Sequence, residues 1–358
     1  MRKIRQVIGT DRFSLEEFFA HAGFQAGTSI SGGQRRDVVD ALATVAWFRH
    51  LRGRSQDTSP YAIGRSVEPD AYWKTEERVR FHRNKWPKYE RGKHRPDAAL
   101  TNLAEQVYPG SARELNSALW RFLKKIPESS KALGELEQLL EPEVRLQIAR
   151  WQPRIQASKN GSIGRLATAF ERIGTVDALT AMLILCQSAR LEGRTAQAHE
   201  WTLYIYRCML MLGSFWMSRG IARPLFELIE QRFLKEVSHL GCRYSFPAVL
   251  YGQAIGKLES VLWHIKDAPY HLMSERQRNR YTQRILDGNF GWDLKFAFNP
   301  YETLLSSDSA SEATAESCLR KMRIFVWAWN MLHSYRAHPN MPPSSVFDGT
   351  DLTARRTD

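Results

Sequence analysis

The sequence predicts an all-α fold, with a small basic N-terminal helical unit followed by a larger helical bundle. Three observations predict it. Apolar residues recur at three- and four-residue spacing and seldom alternate, helix-capping residues punctuate the chain, and the runs ALTAMLILC (178–186) and YIYRCMLML (204–212) are apolar on most sides, as helices central to a bundle are. A chain of 358 residues, 43% hydrophobic and 11% aromatic, can bury a core in each of two domains.

In chain order, Ser14 and Glu17 form a capping box ahead of Phe18 and Phe19 and predict a helix start. TSISGGQRR at 28–36 is a break, after which Val38, Val39, Ala41, Leu42, Val45 and Ala46 lie at helical spacing. Residues 51–72, rich in Ser, Gly, Pro and Asp, are expected to form a loop. Trp86-Pro87 predicts the first turn of a short helix, with Pro87 at N1 and Gly92 at C′. Asp97 caps a second helix whose apolar face is Leu100, Leu103, Ala104, Val107 and Tyr108. Pro109-Gly110 ends that helix, and Ser111 with Glu114 predicts a capping box for a third, with Leu115, Ala118, Leu119, Phe122 and Leu123 on one face.

Further on come an acidic Leu-rich helix, an amphipathic piece around 148–155 and a break at 158–161. Long helical patterns then cover about 163–190, 195–219, 222–239, 245–267, 274–287 and 313–336. DGNFGWDLKFAFNPYE (287–302) reads as a strand or an irregular loop, and the tail after Pro339 as disordered. The expected organisation is a basic unit at 1–128, a helical connector at 129–162, a bundle at 163–338 and a disordered tail at 339–358.

The chain carries 51 Lys and Arg against 38 Asp and Glu, a formal +13. Residues 1–128 hold 23 against 15, a net +8, and the remainder 28 against 23, a net +5. The first third carries most of the field and would steer a polyanion to itself. Within it, residues 74–95 set nine Lys or Arg against three Glu, with Phe81, Trp86 and Tyr89 interleaved. Basic runs mixed with rings bind phosphate backbones and stack bases. The candidate nucleic-acid-binding residues are Arg83, Lys85, Lys88, Arg91, Lys93 and Arg95 for phosphate, with Trp86 or Tyr89 for stacking. A second basic cluster, SERQRNRYTQR (274–284), could extend that surface or form a polar helix face.

WPKYERGKHRP (86–96) resembles a piece of the helix-turn-helix of the lambda repressor and Cro family, through Tyr89, Glu90, Arg91, Gly92, Lys93 and Pro96. Leu103-Ala104 stand near that family's next core pair. The resemblance covers residues 76–110 and implies major-groove contact by residues just before Tyr89. Read from the residues alone, the segment is either a basic turn touching phosphate or a charged face with Trp86 and Tyr89 packed inward.

Other chemistries leave weaker traces. ISGGQRR (30–36) resembles the signature loop of ABC-type ATPases, but no Walker A loop accompanies it, GQAIGK (252–257) being one residue short. Asp287, Asp293 and Lys295 resemble the acid and D-x-K parts of restriction-type nuclease cores, which need a mixed sheet. No H-E-x-x-H or G-x-S-x-G occurs, and His199 and His264 lie in helical patterns that suit packing or surface roles. No catalytic residue, metal site or cofactor is expected. Cys186, Cys208, Cys242 and Cys318 are too widely spaced for a zinc site and are expected to be buried thiols. The N-terminus lacks a signal-peptide apolar core, and the longest apolar stretch, 202–217, is interrupted by Arg207 and too short for a bilayer. The expected location is the cytoplasm, without membrane contact. The leading functional expectation is a non-enzymatic nucleic-acid-binding regulator or accessory subunit, with DNA favoured over RNA. The alternatives are a helical scaffold that docks a protein partner on the Trp-rich C-terminal bundle (Trp201, Trp216, Trp263, Trp292, Trp327 and Trp329), and a metal-dependent nuclease.

Overall fold

The computed structural model describes residues 13–23, 37–55, 58–71, 85–157, 163–265, 270–305, 311–334 and 342–348. It is predominantly α-helical, with one two-stranded sheet among the described residues. By contact the chain divides into two units, Met1–Ile126 with Ser214–Ile229, and Pro127–Gly213 with Glu230–Asp358. The sequence reading runs its bundle without interruption from 163 to 338; by contact, 214–229 belongs with the first unit.

The first unit begins with α1 (Leu15–Ala22), where the capping box of Ser14 and Glu17 is formed in full. Its centre is α2 (Val38–Arg54), buried on nearly every side, with Trp47 and Phe48 fully enclosed. The expected loop at 51–72 is instead largely helical. Arg54 ends α2, and α3 (Pro60–Val67) starts on a Ser59 cap, whose hydroxyl accepts from the Ala62 N–H at 3.1 Å, with Pro60 as its first residue. The Ser and Pro that suggested a loop are a helix-start signal.

Next come α4 (Lys85–Glu90), α5 (Ala98–Val107), α6 (Ser111–Asn116) and α7 (Ala118–Lys124). Asp97 caps α5 as expected, its carboxylate accepting from Leu100 N–H at 2.8 Å. Leu103 and Val107, however, are 41% and 42% exposed, so the buried face of α5 is Leu100, Thr101 and Ala104. The expected capping box at 111 is replaced. Left-handed Gly110 is the cap position of α6, and the carboxylate of Glu105 accepts the Gly110 and Ala112 N–H groups, each at 2.7 Å.

The second unit contains α8 (Ser130–Glu137), α9 (Pro142–Ala157), α10 (Gly164–Ile173), α11 (Val176–Leu191) and α12 (Thr195–Met211). As the apolar runs predict, α11 and α12 are its central pair, buried along most of their length. The single helix expected over 163–190 is broken at Gly174, whose φ is +59°. A Cβ there would meet the Asn279 amide at 2.1 Å. The helix restarts on a Thr175 cap.

From the end of α12 the chain enters α13 (Gly213–Ser218) and α14 (Ala222–Arg232), most of which belong to the first unit. There the Glu227 carboxylate accepts from the Leu15 N–H at 2.6 Å, and Arg219 donates to Glu114 at 2.9 Å. The chain then runs through β1 (Cys242–Ser245), α15 (Ala248–Trp263), α16 (Glu275–Leu286), α17 (Trp292–Phe298), β2 (Tyr301–Leu304), α18 (Glu312–Ser334) and α19 (Ser344–Asp348).

The segment 287–302 is thus a helix followed by the start of a strand. β2 pairs antiparallel with β1, Cys242 opposite Leu304 and Ser245 opposite Tyr301. Part of the tail expected to be disordered is ordered. α19 packs on α18 through buried Val346, and the Arg323 guanidinium donates to the Phe347 carbonyl at 3.1 Å. The breaks expected at 28–36 and 158–161 lie outside the described residues, as does the rest of the tail. No helix among the described residues is long and apolar enough to cross a membrane.

Candidate functional site

The described part of the basic segment is α4 and the turn after it. Pro87 sits in the first turn of α4, where its missing N–H has no intrahelical acceptor to lose. It is the third helical residue, not the first as expected. Gly92 occupies C′ in the left-handed region, φ +63°. Its N–H donates to Tyr89 O at 2.8 Å, and Lys93 N–H donates to Lys88 O at 2.7 Å, the paired bonds of a Schellman motif. A Cβ on Gly92 would lie 2.8 Å from the Ala41 carbonyl, so only glycine lets this turn rest directly on α2.

The rings anchor the turn. Trp86 is fully buried and Tyr89 is 6% exposed. Trp47 of α2 stacks on Trp86 with centroids 5.9 Å apart and meets Tyr89 edge-on at 5.9 Å. The Trp86 indole N–H donates to Glu68 at 3.2 Å, and burial pushes the Tyr89 hydroxyl up to about 12. Expecting either ring to stack on a base is therefore corrected, because both faces are consumed by the core.

The cations divide into two groups. Lys85 donates to Glu68 at 2.8 Å. Arg95 pairs with Asp40, which also takes Lys124 at 2.6 Å, and donates to Leu115 O at 3.3 Å and Asn116 at 3.2 Å. Lys85 and Arg95 are thereby committed to holding the turn on α2, α3 and α6. Lys88 and Arg91 are exposed, and Lys93 is half-buried beside Gly23 at the C-terminus of α1. None of these three has an acidic partner among the described residues; Glu90 between them is taken by Arg52 at 3.1 Å. Burial, then Arg91 and Lys93, hold the His21 imidazole below its usual range, so Arg91 and Lys93 both act on that ring. Residues 74–84, Arg83 included, lie outside the described residues.

The nuclease-like residues do not form a site. Asp287 is bound by Arg207 at 2.7 Å, Asp293 is fully buried at the start of α17, and the Lys295 ammonium lies 4.6 Å from the Trp292 ring centre. Among the described residues, no three His, Cys, Asp or Glu side chains group as a metal site requires. His199 is buried and stacks on Tyr244 at 4.5 Å, a packing role. Of the singled-out tryptophans, Trp201, Trp216 and Trp329 are buried, while Trp263 is 58% and Trp292 38% exposed. Sequence reasoning missed Glu68 and Asp40, the two carboxylates that decide which cations stay available. Neither carries a local signal, since each meets its partner through tertiary packing. The chain matches no family model, no curated protein and no solved structure.

Proposed function

We propose that this protein is a non-enzymatic nucleic-acid-binding protein that grips the phosphate backbone of duplex DNA through Lys88, Arg91 and Lys93, acting in the cytoplasm as a regulator or accessory subunit. The observation that carries the reading is that these three cations stand on one turn, fixed by a Schellman motif and two buried rings, and lack acidic partners among the described residues. A turn whose backbone is already fixed presents its cations to phosphates without the cost of ordering a loop, leaving only their side-chain rotamers to be ordered. With Trp86 and Tyr89 buried, this turn has no stacking platform, which favours a duplex over a single strand. The partial likeness to a lambda repressor and Cro helix-turn-helix agrees with a duplex partner, with α4 as the element near the groove. Four buried free cysteines suit a reducing compartment.

Titration of the full chain against a labelled mixed-sequence duplex and a single strand tests this. Three phosphate contacts alone make duplex binding about fortyfold weaker at ~200 mM than at ~50 mM salt. Changing Lys88, Arg91 and Lys93 to Glu should abolish duplex binding, and each single change to Ala should lower the salt slope by about one unit. No binding at the lower salt, or unchanged affinity in the triple variant, would sink the proposal. A protein-docking role would then lead, supported by exposed Trp263, stacked on Tyr270 at 5.0 Å beside Leu272, which is 71% exposed.

A further inference from the structure

In the second unit, α9, α10 and α16 each turn one face to a common open cavity of about 570 Å³. α10 contributes Arg165 and Arg172, two turns apart, with the short side chains of Thr168 and Ala169 as a floor between them. α16 contributes Arg276 and Arg280, one turn apart, and α9 contributes Arg150 and the lone carboxylate, Glu143. Five guanidinium groups thus face one acid. All five arginines are exposed, so water screens their mutual repulsion, and what remains is a positively charged patch that an anion would neutralise. Glu143 does little to offset it. Its contact with Arg276 is 3.4 Å long, and the two side chains are 54% and 81% exposed, so water screens the pair.

The surroundings hold this cluster in place. The Asn279 amide donates to the Ile173 carbonyl at 3.2 Å and fastens α16 to the C-terminal end of α10. Gln283, one turn further, donates to buried Glu171 at 2.8 Å and accepts from Arg172 Nε at 3.4 Å, leaving the two terminal nitrogens of Arg172 for an outside acceptor. The guanidinium groups of Arg150 and Arg165 lie 5.6 and 6.0 Å from the Trp151 ring centre, close enough for cation–π attraction. Gly164, the first residue of α10, also lines the cavity, adding the positive end of that helix.

A guanidinium presents a planar fork that matches phosphate oxygens two at a time. One phosphate cannot meet five forks spread over three helices, whereas a chain of phosphates can, and the volume is that of a small-molecule pocket. We propose that this cavity binds a small molecule bearing a chain of two or three phosphates, such as a nucleoside triphosphate. The site is separate from the α4 turn, shares no residue with it and does not depend on the nucleic-acid reading.

Calorimetric titration of the full chain with inorganic tripolyphosphate, and separately with ATP, tests the proposal. Saturable binding of both is expected, tighter for ATP if the nucleoside adds contacts and equal if the phosphate chain alone is read. The side chains of Arg165 and Arg280 form no hydrogen bond or ion pair among the described residues, Arg165 making only its ring contact with Trp151. Replacing both with Ala should therefore leave the circular dichroism unchanged and the melting temperature equal or higher, since two like charges are removed, and should weaken both ligands by about tenfold or more, that is by about 1.4 kcal/mol. Arg280→Lys, which keeps the charge and loses the fork, should fall between. The Lys88, Arg91 and Lys93 to Glu variant should bind both ligands as the parent does. Absence of saturable binding, or equal affinity in the Arg165→Ala/Arg280→Ala protein, would overturn the proposal. So would an oligonucleotide losing affinity in that protein while neither small ligand binds, which would make the cavity a polynucleotide groove.

Discussion

Glu171 has no exposed surface, and its charge is met inside the second unit by Arg207 of α12 at 2.6 Å. Arg207 also reaches Asp287 at 2.7 Å, and burial raises the Glu171 carboxyl above its usual range while Arg207 opposes the shift. Arg207→Met strands a buried carboxylate, so urea unfolding is expected to show a loss of about 3–5 kcal/mol. Adding Glu171→Gln should recover part of that loss; additive effects would show that the two residues are not coupled. In the first unit, His50 Nδ1 faces an Arg219 nitrogen at 3.0 Å, and arginine can only donate, so this imidazole is neutral. Burial first, then Arg219 and Arg54, push it down from 6.5 to about 4. As pH falls through that window the unfolded chain takes up a proton that the folded chain refuses. Stability from this group is therefore intact above pH 6.5 and lost progressively toward pH 4, by about 3 kcal/mol in full. Melting temperatures measured across the window should fall for the parent and fall less for His50→Gln.

At the scale of elements, most helix starts were legible because a cap is a local device. Ser14 with Glu17 and Asp97 each bond within three residues. Ser59 was equally local, yet the surrounding Gly, Pro and Asp concealed it. The segment 287–302 was ambiguous for a different reason. Strand β2 exists through its pairing with β1, about 60 residues earlier, and such a partner leaves no periodic trace in four residues. That sheet also brings Cys242 of β1 to Cys318 of α18, with sulfurs 3.4 Å apart. Burial and the neighbouring thiol push Cys318 up to about 12, so thiolate is scarce at neutral pH. Oxidised glutathione should first form a mixed disulfide with one of the pair. The second thiolate then displaces reduced glutathione and leaves a Cys242–Cys318 bond, slowly at neutral pH and faster as pH rises. Peptide mapping without reductant should find that link; stable glutathione adducts on either cysteine, or none at all, would contradict it.

At the scale of the whole molecule, the excess of basic residues was visible in the composition, but its division was not. The α4 turn belongs to one unit and the arginine-lined cavity to the other. Charge reversal at Lys88, Arg91 and Lys93 is accordingly expected to move the duplex titration alone, and removal of Arg165 and Arg280 the polyphosphate titration alone. Periodicity and capping are set by neighbours three or four positions away, so the all-α class, the buried central helices α11 and α12, the helical spacing of α2 and the turn at Gly92 were all legible in the residues alone. The fate of each charge and ring depends on residues far along the chain and was fixed by packing. Lys85 meets Glu68 seventeen positions back and Arg95 meets Asp40 fifty-five back, Trp86 and Tyr89 close against Trp47, and three separate helices assemble the arginine cluster. Packing determines which partners a side chain finds, and those partners separate a cation that holds the fold from one left to hold a ligand.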